Sequence, residues 1–263
     1  MRYAVLADIH ANLHAFDAVL NRLRKVGVDR YLIAGDLVGY GPYPNECVER
    51  AVAVGATCVA GNHDLIVTGR LGDDRCNLLA KRSLEWTRSV LRHDVLAYLD
   101  ALPTRADVDA GVVMAHGTLD DAREYTLRAD QADEQLAQLS VEHPSARILL
   151  LGHTHHRLAY GQGGRRLAGG ARGGLVLPER ALLNPGSVGQ SRGLLARARF
   201  LVLDTEAWTA VFHQARYDTS ACRAALRRRG LPVTSHHRRP TARRIGRNVV
   251  RRAKAFRVRI GEP

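Results

Sequence analysis

Seven side chains of metal-binding type fall in short clusters along the chain: Asp8 with His10, then Asp36, Asn62, His116, and His153 with His155. Carboxylate, carboxamide and imidazole together suit manganese, iron, zinc, cobalt or nickel. Each cluster follows an apolar stretch with the character of a buried strand. Residues 1–7 end at Asp8-Ile9-His10, and residues 31–34 at Gly35-Asp36. Residues 57–60 end at Gly61-Asn62-His63-Asp64, residues 111–115 at His116-Gly117, and residues 147–151 at Gly152-His153-Thr154-His155. Singly, each has an ordinary reading. Gly-Asp is a turn, Asn-His a cap, and a lone His a satisfied polar residue. Turns alone do not account for the repetition at five strand ends. In an extended backbone, residues i and i+2 point to one side, so Asp8 and His10 are expected to aim together at one ion.

Seven ligands are enough for two metals if one of them bridges. A carboxylate has the lone pairs for that, and Asp36 is the natural choice. Ions sharing it would lie about 3.5–4 Å apart, a spacing that clamps a phosphate and turns a shared water into an attacking hydroxide. Neutral Asn62 adds an oxygen without charge and keeps the cluster attractive to anions. His63 directly follows a ligand. If Asp64 holds its imidazole protonated, His63 stabilises developing charge or protonates a leaving oxygen. The alternative is a purely structural His63.

The elements that must position these groups are legible in outline. Leu13–Val26 has apolar residues at Phe16, Val19, Leu20 and Leu23, a helical spacing, and Gly27 stops it. With the strands on either side it makes a strand–helix–strand unit of a mostly parallel sheet, whose chemistry lies beyond the strand carboxyl ends. Residues 45–54 read as a helix. Residues 76–102 read as a helix in two pieces broken at Pro103, and residues 129–139 as another helix. Residues 200–203 and 209–213 read as a hairpin on a second sheet, and residues 219–229 as a closing helix.

At 263 residues, 46% of them hydrophobic, the chain has room for one large core plus an extension. No apolar run reaches the roughly 18–20 residues of a membrane span, and no signal-peptide pattern opens the chain, so a cytoplasmic protein is expected. Cys47, Cys58, Cys76 and Cys222 are scattered and read as buried thiols rather than a zinc site or a disulfide framework. The net charge of +13 comes mostly from arginine. Much of it lies after residue 222, which points to a basic tail rather than a basic active-site face.

Taken together, Asp8-Ile9-His10, Gly35-Asp36, Gly61-Asn62-His63-Asp64, His116 and Gly152-His153-Thr154-His155 resemble the motif series of the calcineurin-like metallophosphoesterase superfamily. Local matches at residues 7–13, 35–42 and 184–190 are similar to its small bacterial and archaeal branch. The resemblance covers residues 1–230 and implies an α/β fold, a four-layer αββα sandwich of two mixed sheets. It implies two divalent transition-metal ions, manganese first among the alternatives iron, zinc, cobalt and nickel. One would be held by Asp8, His10, Asp36 and His155, the other by Asp36, Asn62, His116 and His153. His63, followed by Asp64, would be the proton donor or charge stabiliser. The implied activity is phosphodiester or phosphomonoester hydrolysis, on a phosphorylated small molecule, a nucleotide or a phosphoprotein. The alternatives are a non-catalytic binding scaffold of the same fold and a nucleic-acid phosphodiesterase.

Two stretches stand apart from that pattern. Residues 161–174 are rich in Gly and Arg and read as an inserted mobile loop, in solvent rather than over the site. Residues 231–263 form a basic extension in which Ile245, Val249, Ala253 and Phe256 recur at helical spacing. An amphipathic helix there would pack on the domain or a sister subunit, or meet an anionic partner, nucleic acid or lipid surface. Substrate choice is expected from loops at residues 39–43, 118–128 and 161–174.

Overall fold

The computed structural model describes residues 1–109, 111–168 and 174–238. The chain opens with β1 (Arg2–Leu6), α1 (Leu13–Val26), β2 (Arg30–Ala34), α2 (Pro44–Ala53) and β3 (Thr57–Val59), two successive crossovers that leave β1, β2 and β3 parallel. α1 begins where the Asn12 side chain accepts Ala15 N–H at 3.1 Å and ends at Gly27, whose φ of 75° suits glycine. α2 starts at Pro44, whose fixed φ and missing N–H favour the first helical turn. Then come α3 (Asn62–Val67), α4 (Leu78–Val90) and α5 (His93–Asp100). The expected break lies at extended Leu91, ahead of Pro103.

β4 (Arg105–Val108), β5 (Val112–Ala115), α6 (Ala129–Glu142), β6 (Ile148–Leu150) and β7 (Arg157–Gly161) begin the second half, followed by β8 (Leu175–Val176), β9 (Ala181–Pro185), β10 (Ala198–Asp204), β11 (Thr209–Ala215) and α7 (Thr219–Arg228). One sheet has the order β3-β2-β1-β10-β11-β8 and the other β4-β5-β6-β9-β7. The hairpin β10–β11 was expected on a second sheet; it extends the first. β1 is fully buried apart from Arg2, so both of its edges need partners, and β10 supplies the second one antiparallel, with Ala4 opposite Val202. The second sheet is built instead on the parallel core β5-β6-β9.

Strand alternation assembles four layers. Tyr3 and Val5 of β1 face Met114, Ile148, Leu150 and Leu183 across the space between the sheets. Ala4 and Leu6 face the other way, onto Phe16, Val19 and Leu23 of α1 and the remaining helices of that side. On the outer face of the second sheet, Val113, Leu149 and Leu182 pack against Ala132, Leu136 and Leu139 of α6. The architecture is the αββα sandwich expected from the sequence. Strands buried on both faces explain why these stretches read as continuous apolar runs.

The described part of the Gly/Arg-rich stretch packs on α6, where Gly163 N–H donates to Asp133 at 2.6 Å, and returns along β7 through a Tyr160–Arg166 bridge. Beyond α7, Gln190 donates to Ser235 O at 2.8 Å and Ser191 bridges to His237, so residues 231–238 lie on the body of the fold. The apolar stripe at Ile245, Val249, Ala253 and Phe256 lies outside the described residues. Among the described residues, no helix is long and apolar enough to cross a membrane. Cys47, Cys58 and Cys222 are buried, and Cys76 is half-buried.

Candidate metal centre

The carboxyl ends of β1, β2, β3, β5 and β6 meet at one edge of the sandwich, and all seven predicted ligands converge there in buried positions. Three groups have ligand atoms within 4.8 Å of one another: Asp8 with His10 and His155, Asp36 with His116 and His153, and His10 with Asp36 and His63. The expected route to the first group needs correction. β1 ends at Leu6, and Asp8 and His10 adopt left-handed backbone, with φ of 54° and 49°. They converge through a turn, not through strand alternation. Asp36, His153 and His155 share that conformation, with φ of 57°, 61° and 58°. Left-handed backbone in non-glycine residues is costly and persists where the surroundings impose it. Here the loops are pinned together: Asp8 N–H donates to Gly35 O at 3.0 Å, His10 N–H to Asp36 O at 2.9 Å, and Gly189 N–H to Asp8 O at 2.9 Å.

Backbone carbonyls set the histidine tautomers. His10 Nδ1–H donates to Val38 O (3.2 Å), His116 Nδ1–H to Ala34 O (2.7 Å) and His155 Nδ1–H to Gln190 O (2.7 Å). His153 uses the opposite nitrogen, Nε2–H, on Arg123 O at 3.0 Å. A carbonyl only accepts, so each neutral ring presents the lone pair of its other nitrogen to the centre. His10 Nε2 and His155 Nε2 are 3.1 Å apart, His116 Nε2 is 3.3 Å from Asp36 Oδ2 and 3.2 Å from Asn62 Oδ1, and buried Asp8 Oδ2 has no hydrogen-bond partner. Acceptors facing acceptors is an arrangement a cation satisfies, so this donor set fits divalent metal.

In the metal-free protein, protons fill part of that role. Burial pushes the Asp8 carboxyl up to about 7, against the lowering pull of His116. Burial also opposes charge on Asp36 and His116, but their mutual attraction prevails, holding Asp36 well below the usual carboxylate range and His116 up at about 9. Burial lowers His10 and His155, and takes His153 down to about 3. Those three rings stay neutral and available as ligands.

Asp64 does not hold the His63 ring. Its carboxylate accepts N–H from Leu37 (3.2 Å), Val38 (3.1 Å) and Gly61 (2.9 Å), tying the β2 turn to the β3 turn. The reason is local: Asp64 is the third residue of α3, where a side chain turns back onto the helix entrance. His63 N–H donates to Asp36 Oδ1 at 2.8 Å, while buried His63 Nδ1 has no partner. Its ring lies 4.9 Å from His10 and 4.6 Å from Tyr40, and burial lowers its pKa.

A cleft of about 170 Å³ opens over the cluster, lined by Asp36, Asn62, His63, His153 and His155. Tyr40, Arg123 and Tyr125 line it too, from two of the loops expected to confer specificity; none of the described residues of the 161–174 loop does. Arg75, Arg123 and Arg192 line it as well. Sequence reading does not single out Arg192, which lies two residues beyond the 184–190 match.

Comparison with known proteins shows the family and the fold. A family model for the calcineurin-like phosphoesterase superfamily domain matches residues 1–207. An uncharacterized protein of Methanocaldococcus jannaschii is 30% identical over 234 residues, covering 87% of this chain and 93% of that protein. The crystal structure of a metallophosphoesterase from Sphaerobacter thermophilus superposes with a TM-score of 0.75 at 31% identity, covering 89% of this chain and 97% of that one. A hypothetical protein from Pyrococcus horikoshii shares the fold, with a TM-score of 0.73, 20% identity, and coverage of 89% and 95%. With its candidate ligand residues gathered at one sheet edge and its fold and sequence matched over most of their length, the chain belongs to the calcineurin-like phosphoesterase superfamily.

Proposed function

We propose that the protein is a metal-dependent hydrolase of phosphodiester or phosphomonoester bonds with a dinuclear centre. Asp8, His10 and His155 would hold one ion and Asn62, His116 and His153 the other, with Asp36 shared. The observation that carries this reading is the convergence of four carbonyl-anchored imidazoles on two buried carboxylates, each ring with its other nitrogen facing inward. Two divalent ions, manganese the first candidate, supply Lewis acidity toward a phosphate and toward the attacking water.

The chain's own residues do the rest. Asp36 Oδ1 accepts the His63 N–H, so the shared carboxylate also fixes the backbone of the proposed proton donor. His63 lines the cleft with a ring that burial keeps neutral. A phosphate seated there favours the protonated ring by charge, and the imidazolium can then donate to the departing oxygen. Asp64 acts as a positioning residue through the three backbone groups it binds.

The test is hydrolysis of bis-p-nitrophenyl phosphate and p-nitrophenyl phosphate by metal-stripped protein resupplied with Mn²⁺. Diester turnover supports a phosphodiesterase, and turnover of the monoester alone a phosphatase. Silence on both with two ions bound would leave the non-catalytic scaffold in its place.

A further inference from the structure

Three arginines line the cleft, and their partners differ. Arg75 pairs with Glu124 at 2.7 Å and Asp121 at 3.6 Å; Arg123 pairs with Asp121 at 3.3 Å and Asp74 at 4.0 Å. Arg192 has no carboxylate within 4.0 Å among the described residues. Its Nη1 lies 3.5 Å from Thr154 O, between the two histidines of Gly152-His153-Thr154-His155, and its buried Nε has no hydrogen-bond partner. It lines the cleft together with His63, His153 and His155, which places the guanidinium on the cluster side. A half-buried cation with an orphaned N–H beside a substrate cleft is costly unless an anion completes it.

Charge balance indicates which anion. Two carboxylates and the attacking hydroxide against two divalent ions leave an excess of about one positive charge, which the monoanion of a scissile phosphodiester matches. Arg192 adds a charge that this phosphate does not neutralise.

We propose that Arg192 is a specificity-determining residue that holds a second phosphate of the substrate, so that the cleft selects molecules carrying a further phosphate beside the scissile one. This rests on the phosphoesterase reading above.

The test is calorimetric binding of inorganic phosphate and of non-hydrolysable methylenediphosphonate to Mn²⁺-loaded protein, with metal content checked before and after titration. Wild type is expected to prefer the diphosphonate. Arg192→Ala should weaken diphosphonate binding about 10- to 100-fold, the worth of a charge-assisted contact, and leave phosphate binding near wild type. Arg192→Lys, which keeps the charge without the fork, should fall between and stands in if the alanine variant does not fold. Equal losses for both ligands would overturn the second-phosphate assignment and make Arg192 a contact of the scissile group. Unchanged binding in both variants would overturn the proposal outright, with the phosphoesterase reading intact. Failure of wild type to bind either anion would overturn both.

Discussion

The Nε2 atoms of His10 and His155 lie 3.1 Å apart, and neither can donate to the other while both Nδ1–H groups serve backbone carbonyls. Asp8 Oδ1 is a further acceptor, 3.9 Å from one and 3.5 Å from the other. Three acceptors facing one point repel unless a cation sits among them. Chelation should therefore destabilise the fold. Metal at about 100 times its dissociation constant adds about 2.7 kcal/mol, and each kcal/mol moves the midpoint of a domain this size by about 2–4 °C. Calorimetric melting with and without Mn²⁺ measures the shift, and an unmoved midpoint would count against the site.

His116 sets a pH dependence for the stripped protein. Its folded pKa of about 9 exceeds the unfolded value of 6.5, so its contribution is fully present below 6.5 and lost as pH rises through 9. Asp8 and Asp64, raised to about 7 chiefly by burial, have largely titrated before pH 8. Between roughly pH 7.5 and 8.5, stability of the metal-free form should fall by at most about 1.4 kcal/mol per pH unit. Metal taking Nε2 should expel that proton. Titration of Mn²⁺ at pH 8 in buffers of different ionisation enthalpy should show close to one proton released.

Asp36 and His63 separate metal binding from proton donation. Asp36→Asn weakens the shared ligand and should cost both ions along with activity. His63→Ala should retain both ions and lose about 10²- to 10⁴-fold in turnover, the usual range for a general acid. Metal analysis beside p-nitrophenyl phosphate assays distinguishes the two, and wild-type turnover by His63→Ala would remove its proposed role.

Gly39 offers a second approach to the same ring. Its φ is 85°, and a Cβ there would collide with His63 Nδ1. Gly39→Ala should reproduce the turnover loss of His63→Ala with metal content intact. Retained turnover in a folded Gly39→Ala variant would mean that the His63 position is not critical.

Asp64 is a stability determinant. Asp64→Ala leaves the N–H groups of Leu37, Val38 and Gly61 buried and unpaired, at about 1–3 kcal/mol each. Asp64→Asn keeps one acceptor oxygen and should cost less. Denaturant unfolding of the two variants orders them, and an alanine variant as stable as wild type would refute the account.

The cluster of candidate ligands was legible because metal chemistry admits few residue types, and because strands buried on both faces read as apolar runs that end where the polar groups begin. The helix at Leu13–Val26 was equally legible, since Phe16, Val19, Leu20 and Leu23 repeat at the helical period and Gly27 ends it. Local sequence could not assign β10 to the first sheet, because the need arises from the empty edge of β1, about two hundred residues away in the chain. It misjudged how Asp8 and His10 converge, since their left-handed backbone is imposed by the loops at Gly35–Leu37 and Val188–Gly189. It paired Asp64 with its neighbour His63, whereas folding brought it three nearer backbone donors. Arg192 acquired its meaning only when the loop after β9 laid it beside His153 and His155. Side-chain chemistry and periodicity are written locally; which groups share one cleft is decided by strand pairing and loop contact, and only the folded chain holds that information.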